Sequence, residues 1–384
     1  MNALAWLGRA LLAPPGWLSG TLSSRWRRHS LFCFFATPGM GGAERVHAQI
    51  VEAAADSNPV VVFTEVTRDA SLLPLYEKYC KPIRLHPQSR FRAREYFNEA
   101  RMAAEINRAR NPVVLGAFSH FFYRLLPRLS PRVRCVDLIH NFGVDFEHFT
   151  LPYVERLAAR VVLSQRIKDE FASIYAAFGC PSGLSDRILV IPNGVHVPGA
   201  PADKPRAGPL RVLYVGRSTP EKRVHLVTQV AAELARRGID AEVTMVGDIK
   251  LAASAVANCR VVGLVTDAET LKQHYEQAHF LLLTSSREGL PMAMIEAMAQ
   301  GCVPLVPGVG AIPEHVKPGL NGILLDPEPE SELVRQAADS IARLSKHRGA
   351  LAAMGKAAHA HVREHCSDEA FRAAWRQVLA RGDG

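Results

Sequence analysis

The 384-residue chain contains no run of eighteen uninterrupted apolar residues, which excludes an ordinary membrane-spanning helix. It has no CxxC pair and no histidine spaced from cysteine for zinc; its seven cysteines are scattered at 33, 80, 135, 180, 259, 302 and 366. An odd, dispersed set excludes a disulfide framework and reads as thiols in a reducing, cytosolic compartment. No G-x-x-x-x-G-K-[ST] and no G-x-G-x-x-G occurs, so the common P-loop and dinucleotide fingerprints are absent. No DxD lies between apolar strands, so no metal-bridged diphosphate site is expected. Aromatic residues make up 7% of the chain and no recognised nucleic-acid-binding module occurs, which argues against nucleic acid as a partner.

What is present is globular: 48% hydrophobic and 22% charged residues, on a chain long enough for two cores. Lys and Arg number 46 against 37 acids, a net charge of +9, which favours anionic partners. The opening "MNALAWLGRALLAPPGWLSGTLSSRWRR" holds three of the four tryptophans, Trp6, Trp17 and Trp26, and ends in basic residues. An export signal places its charges first, so this order argues against secretion. Tryptophan beside arginine suits a membrane-water interface, which makes residues 1–29 a candidate peripheral anchor. The alternative is an extension packed on the body or left without structure.

From residue 30, short β-branched or aromatic runs alternate with helical patterns. Strands are expected at 31–36, 59–66, 112–118, 133–140, 160–165 and 188–194, with helices at 43–55, 92–109 and 166–178. Runs apolar on both faces and separated by helices indicate a parallel sheet covered on both sides. The pattern stops at the Pro- and Gly-rich "VPGAPADKPRAGP", residues 197–209, and a second series follows. Its strands are expected at 210–216, 241–247, 280–285, 303–307 and 322–325, with helical chain from 329. The fold class is therefore α/β, two doubly wound Rossmann-like domains facing a cleft. The expected organisation is an extension (1–29), an acceptor domain (30–200), a linker (201–209), a donor domain (210–366), and a C-terminal helix (367–384) that packs back on the first domain.

Ligands of such sheets bind at the carboxyl ends of strands, which directs attention to three stretches. "LRVLYVGRSTPEKR" ends a strand in Gly216 and then sets Arg217 and Lys222 before a helix, cations suited to a phosphate or diphosphate. "TPGMGGAERV" places Gly39, Gly41 and Gly42 before a helix N-terminus, where backbone amides approach an anion. In "SREGLPMAMIEAMAQG", Gly289, Leu290 and Pro291 open a helix that Gly301 stops, with Met292, Ile295, Met298 and Ala299 as its buried stripe. Glu288 precedes this helix and Glu296 lies in its second turn, roughly 8 Å on at 1.5 Å per residue. Two carboxylates on either side of a phosphate-binding helix start fit hydroxyls on both sides of a diphosphate, the pattern of a nucleotide sugar. Solvated surface cations, a capping acid and an ordinary surface glutamate are the plainer readings of each stretch alone.

Together with "IPNGV" (191–195), "VVLSQ" (161–165) and "PEH...G.NG" (313–322), these motifs resemble, in order, the retaining glycosyltransferases of family four, which have the GT-B fold. The resemblance covers about residues 31–384. It implies that Gly41 and Gly42 approach the donor diphosphate, and that Arg217 and Lys222 bind it and support its departure. It further implies that Glu288 holds donor-sugar hydroxyls, that Glu296 binds the ribose, that Gly263 to Val265 lie beside the base, and that His140 of "DLIHNFG" lies close to the donor sugar. Two positions depart from the family pattern: Asn141 follows His140 where an aspartate is usual, and Ala311 replaces a second glycine, while Glu314 keeps its place.

The implied activity is metal-independent, retaining transfer of a sugar from a nucleoside-diphosphate sugar to an acceptor hydroxyl, with no metal ligand and no cofactor beyond the donor substrate. The seven Arg among residues 84–110 and the Trp-rich N-terminus suggest a lipid-linked or saccharide acceptor in cell-surface polysaccharide or glycolipid assembly. They also suggest an anionic membrane surface and a cytoplasmic, peripheral location on the inner face. A GT-B nucleotide-sugar epimerase and a non-catalytic nucleotide-sugar binder are the alternatives.

Overall fold

The computed structural model describes residues 3–85, 93–141, 143 and 145–380, without the side chains of 3–12, 93 and 94. The chain divides into two compact units, Met1–Ile191 with Arg372–Gly384, and Pro192–Phe371.

The first unit holds a seven-stranded parallel sheet: β1 (Leu31–Phe35), β2 (Val60–Phe63), β3 (Ile83–Arg84), β4 (Val113–Ala117), β5 (Arg134–Ile139), β6 (Ala159–Val162) and β7 (Ile188–Val190). Their spatial order is β3-β2-β1-β4-β5-β6-β7. Its helices are α1 (Ala3–Leu22), α2 (Gly42–Ala53), α3 (Leu73–Glu77), α4 (Ala93–Asn107), α5 (His120–Leu125), α6 (Phe146–Thr150) and α7 (Gln165–Ala177). The second unit repeats the plan with β8 (Leu210–Val215), β9 (Ala241–Val246), β10 (Cys259–Gly263), β11 (Phe280–Leu282), β12 (Val303–Pro307) and β13 (Ile323–Leu325). Their order is β10-β9-β8-β11-β12-β13. The helices here are α8 (Val224–Arg236), α9 (Ala268–Gln277), α10 (Met292–Ala299), α11 (Ile312–His315), α12 (Glu330–Ser345) and α13 (Arg348–His365), followed by α14 (Asp368–Leu379). Both strand orders reverse once, between β1 and β4 and between β8 and β11. Chains diverge there at the carboxyl edge, which opens a crevice.

All five residues of β1 and all four of β2 are buried, as expected of strands covered on both faces. Two charges break the apolar pattern and explain each other. Asp137 of β5 is in register with Arg160 of β6, and the guanidinium bonds the carboxylate at 2.6 Å while also donating to Thr150 Oγ1 at 2.8 Å. Tyr123 OH donates to the same carboxylate at 2.8 Å, and the Phe171 ring lies 4.6 Å from the guanidinium. Burial opposes the charge on Arg160, and the Asp137 carboxylate outweighs it, so the guanidinium stays protonated.

The N-terminal extension is helical through Pro14 and Pro15, and it lies on α4. Gly16 makes this approach close: a Cβ there would meet the Phe97 carbonyl oxygen at 2.5 Å, and one at Gly20 would strike the Arg101 carbonyl. The three tryptophans do not act alike. Trp26 is buried with its ring 5.4 Å from Phe32, so it is a core residue rather than an interface residue; Trp17 is exposed; the Trp6 side chain lies outside the described residues. Of the basic segment 84–110, Arg90, Arg92 and the Arg94 side chain also lie outside them. The acids of α4 turn to arginines: Glu99 accepts from Arg124 Nε at 2.7 Å, Glu95 from Arg124 at 3.3 Å, and Glu105 lies 3.4 Å from Arg101.

The Pro-rich stretch before β8 is tethered to the second unit. Lys204 Nζ donates to the carbonyls of Tyr275 and Glu276 at 2.7 and 2.9 Å, a cation on the C-terminal end of α9. His279 Nε2 lies 2.7 Å from the Pro205 carbonyl. At the other end of the chain, Arg372 pairs with Glu52 at 2.8 Å and Arg376 donates to the Ala53 carbonyl at 2.9 Å, closing the C-terminal end of α2.

Candidate active site

In the second unit the site grows from the loops after β8 and β11. Gly216 follows β8 and its amide bonds the Val246 carbonyl at 3.0 Å. The Tyr214 hydroxyl folds under Gly216, where a Cβ would meet it at 2.6 Å, and donates to the Arg217 carbonyl at 3.1 Å. Gly247, at φ +134°, packs against the Gly216 carbonyl and donates to Gly263 O at 2.8 Å. Three consecutive strand ends are thus joined through glycine backbone. Gly263 (φ +89°) ends β10, with Leu264 exposed and Val265 half-buried after it.

A short turn, Pro220–Lys222, then leads to Arg223, the left-handed residue that caps α8. The two neighbouring cations divide the work. Arg223 is buried and holds the end of β11 and a later loop, donating to Thr284 O at 2.8 Å, Pro327 O at 2.9 Å and Glu328 Oε1 at 2.7 Å. Lys222 instead reaches Glu288, with Nζ 2.6 Å from Oε1. Thr284 Oγ1 fixes the lysine's own carbonyl at 2.9 Å, and Ser285 Oγ donates to Glu288 Oε1 at 2.6 Å. Both of these bonds fall on Oε1, so Oε2 is the carboxylate oxygen suited to accept from a ligand hydroxyl. Arg217 is exposed. Burial works against charge on Glu221, but a bond from Thr219 and the charges of Lys222 and Arg217 hold this carboxyl below its ordinary value.

The backbone from Glu288 to Leu290 is clamped. Gly310 (φ +57°) packs on the Glu288 carbonyl, Ala311 N donates to Gly289 O at 3.0 Å, and Asn193 Nδ2 donates to Leu290 O at 2.8 Å. Helix α10 starts at Met292, with Pro291 as its extended cap at ψ 122° rather than inside the first turn. The difference arises because the clamp holds Leu290 and Pro291 extended before the helix can begin. At the far end, Cys302 N bonds Ala297 O and Gly301 N bonds Met298 O, both at 2.9 Å, with Gly301 at φ +76°, a Schellman stop. Burial reaches well beyond the expected stripe, for Met294 and Ala297 are also buried; only Ala293 and Glu296 remain half-exposed. Glu296 Oε2 accepts from Tyr275 OH at 2.9 Å. Close by in sequence to Glu314, His315 Nδ1 lies 3.2 Å from His361 Nε2. Burial first, then the charges of His361, His365 and Lys317, push His315 down to about 4.

In the first unit the sheet reversal is lined differently. Gly41 caps α2 in extended backbone, and the Glu44 carboxylate lies where its Cβ would be. Asp69 Oδ2 accepts from Met40 N at 2.6 Å. The glycine loop therefore meets two carboxylates from its own chain; Gly42 is the first residue of α2 and exposed. His140 follows β5, buried, its ring stacked 5.7 Å from Phe118. Its Nε2 lies 2.8 Å from Nε2 of His47 in α2, whose ring stacks on Phe35 at 4.4 Å. His47 Nδ1 is buried without a partner. An unsatisfied lone pair is less costly there than an unsatisfied N–H, so His47 donates from Nε2 and His140 carries its proton on Nδ1. Burial holds His140 at about 3 and His47 well below the usual range, so both are neutral at pH 7.

Of the residues expected from sequence, Lys222 and Glu288 are bonded to each other, Gly289 and Leu290 are held by Ala311 and Asn193, and Gly216 and Gly263 are linked through Gly247. Glu296 is held by Tyr275. Ser285, Thr284, Asn193, Tyr275 and His47 were not singled out. Asn193 stood in the quoted "IPNGV" without a role, and His47 follows "GGAER" two residues on.

Residues 201–361 match the glycosyl transferases group 1 family. Over 299 residues, 67% of this chain and 76% of the relative, the sequence is 25% identical to the GDP-mannose:cellobiosyl-diphosphopolyprenol alpha-mannosyltransferase of Komagataeibacter xylinus. The pneumococcal O-GlcNAc transferase GtfA, solved with UDP and GlcNAc, aligns at TM-score 0.72 with 10% identity, over 91% of this chain and 98% of that one. Anabaena HepE, solved with UDP, aligns at TM-score 0.69 with 16% identity, over 91% and 99%. The two parallel sheets match the architecture of GT-B structures.

Proposed function

We propose that this chain, whose residues 201–361 match the glycosyl transferases group 1 family, is a retaining, metal-independent enzyme that moves a sugar from a nucleoside diphosphate to a lipid-linked or saccharide acceptor. The observation that carries this reading is the Lys222–Glu288 pair at 2.6 Å, set where the second sheet reverses and beside the start of α10. Arg217, Lys222 and the first-turn amides of α10 stabilise the charge that grows on the leaving diphosphate, more in the transition state than in the ground state. Glu288 accepts sugar hydroxyls and Glu296 accepts those of the ribose. Gly41 and Gly42 approach the diphosphate, and neutral His140 lies against the sugar as a hydrogen-bonding group. The acceptor oxygen bonds the anomeric carbon on the face the phosphate leaves, the carbon–phosphate oxygen bond breaks, and the departing phosphate takes the acceptor proton. No side chain is assigned as nucleophile.

The Komagataeibacter relative is named for GDP-mannose and a diphosphopolyprenol-linked acceptor, which supports the lipid-linked acceptor; surface polysaccharide assembly at a cytoplasmic, peripheral site is part of the same proposal. The test incubates the protein, in EDTA, with GDP-mannose or UDP-glucose and a prenyl-diphosphate saccharide, reading nucleoside diphosphate release and the anomer formed. Transfer with retention is expected, with loss of most turnover in Arg217→Ala. Full turnover in that variant, an inverted product or a strict metal requirement overturns the proposal. Rearranged donor formed without acceptor indicates an epimerase instead.

A further inference from the structure

We infer that the exposed face of α1 and the basic turn after it dock the protein on an anionic phospholipid surface. This deepens the lipid-side reading above and rests on it only for the acceptor.

Helix α1 is fixed on α4 by the close approach of Gly16 and Gly20 to the Phe97 and Arg101 carbonyls, so its outward face is set by packing. That face carries Pro14 and Pro15, both exposed, with Trp17, Leu18 and Leu22 exposed at 42%, 61% and 79%. Among the described residues eight large hydrophobic side chains are exposed, and three of them fall within residues 17–22. Single exposed apolar residues are ordinary, but a contiguous set on one helix face calls for a partner.

Charge identifies which partner. The helix runs into Arg25, Arg27 and Arg28, all exposed, and no acid occurs before Glu44 in the chain. No described ion pair neutralises these three arginines. Buried Trp26 and its contact with Phe32 anchor the turn to the body, so the arginines stand next to the apolar face instead of trailing from it. Tryptophan and leucine that reach the headgroup boundary, with arginines meeting anionic headgroups, supply the two signals that stable surface binding requires. A second copy of this chain would face the same three uncompensated charges, and so is disfavoured as the occupant.

The test sediments the full chain with vesicles of phosphatidylcholine alone or mixed equally with phosphatidylglycerol. Binding to the anionic vesicles is expected, weaker at high salt and slight on the neutral ones. The joint variant R25Q/R27Q/R28Q should bind about a hundredfold more weakly, and W17S/L18S/L22S should lose binding while keeping the wild-type circular dichroism. Transfer to a water-soluble acceptor, followed in parallel, should persist in both variants. Absence of binding by the wild type, or unchanged binding by both variants, overturns the inference. A dimer that the serine variant converts to monomer, without vesicle binding, assigns the face to a second copy and overturns it as well. Vesicle binding without any sugar transfer would remove the transferase reading and leave this one standing.

Discussion

Each unit contains a carboxylate and a cation at 2.6 Å, Asp137 with Arg160 and Glu288 with Lys222. The first pair is sealed, with side chains 0% and 2% exposed; the second is open to ligand, at 8% and 24%. Equal distance thus accompanies opposite uses. A sealed pair, with Tyr123 donating to Asp137 and Arg160 donating to Thr150, locks neighbouring strands in register, and its charges meet no substrate. An open pair at a sheet reversal can exchange one partner for a ligand. The reversal in the first unit carries the neutral imidazoles of His47 and His140 against Phe35 and Phe118, beside a glycine loop that meets the Glu44 and Asp69 carboxylates, whereas the second presents the Lys222–Glu288 pair.

The largest effect that would sharpen this comparison is on stability. Arg160→Met should cost about 3 to 5 kcal/mol in urea unfolding because Asp137 is left buried and alone, and adding Asp137→Leu should recover much of it. A loss under 1 kcal/mol would show that the pair is not sealed. Lys222→Ala should lower turnover by about a hundredfold to a thousandfold, with unfolding changed by less than about 1 kcal/mol. Destabilisation as large as in Arg160→Met would erase the distinction between the pairs.

The buried histidines set a third expectation. His140 is held at about 3 and His315 at about 4 by burial, against about 6.5 unfolded. The unfolded chain therefore binds protons that the folded chain refuses, so stability is full above about pH 6.5 and falls as pH drops toward 4. Between pH 6.5 and 5 each such residue contributes a loss of up to about 2 kcal/mol. Equal unfolding free energies at pH 7 and 5 would contradict the burial of these rings. The smallest effect is expected at His47, which touches the reaction only through His140. His47→Asn should reduce kcat by about tenfold with little change in KM, and His47→Gln should restore part of it. A change in KM alone would place His47 in donor binding instead.

Alternation of apolar runs and helices made most of both sheets legible, and strands such as β1, β4 and β12 lie within a residue or two of the expected bounds. The missed strands are those without an apolar run: β3 is two residues long, and β10 is a half-exposed edge. Helix α1 was not expected, and it runs through Pro14 and Pro15, residues that each remove a backbone donor from a helix. The Lys222 and Glu288 motifs were legible because each is a compact local pattern. Their supports were not: Asn193 meets Leu290 across 97 positions and His47 meets His140 across 93. Such contacts are set by which strands become neighbours, and local spacing does not carry that information.

The glycine seam between α1 and α4 also bears on how the protein is handled. Clipping the chain ahead of Ser30 to improve expression would strip a flank from α4 and expose Ala100 and Ala104, now buried. Such a shortened version would be prone to clumping, and the leading helix is better kept whole, with any affinity tag moved to the other terminus.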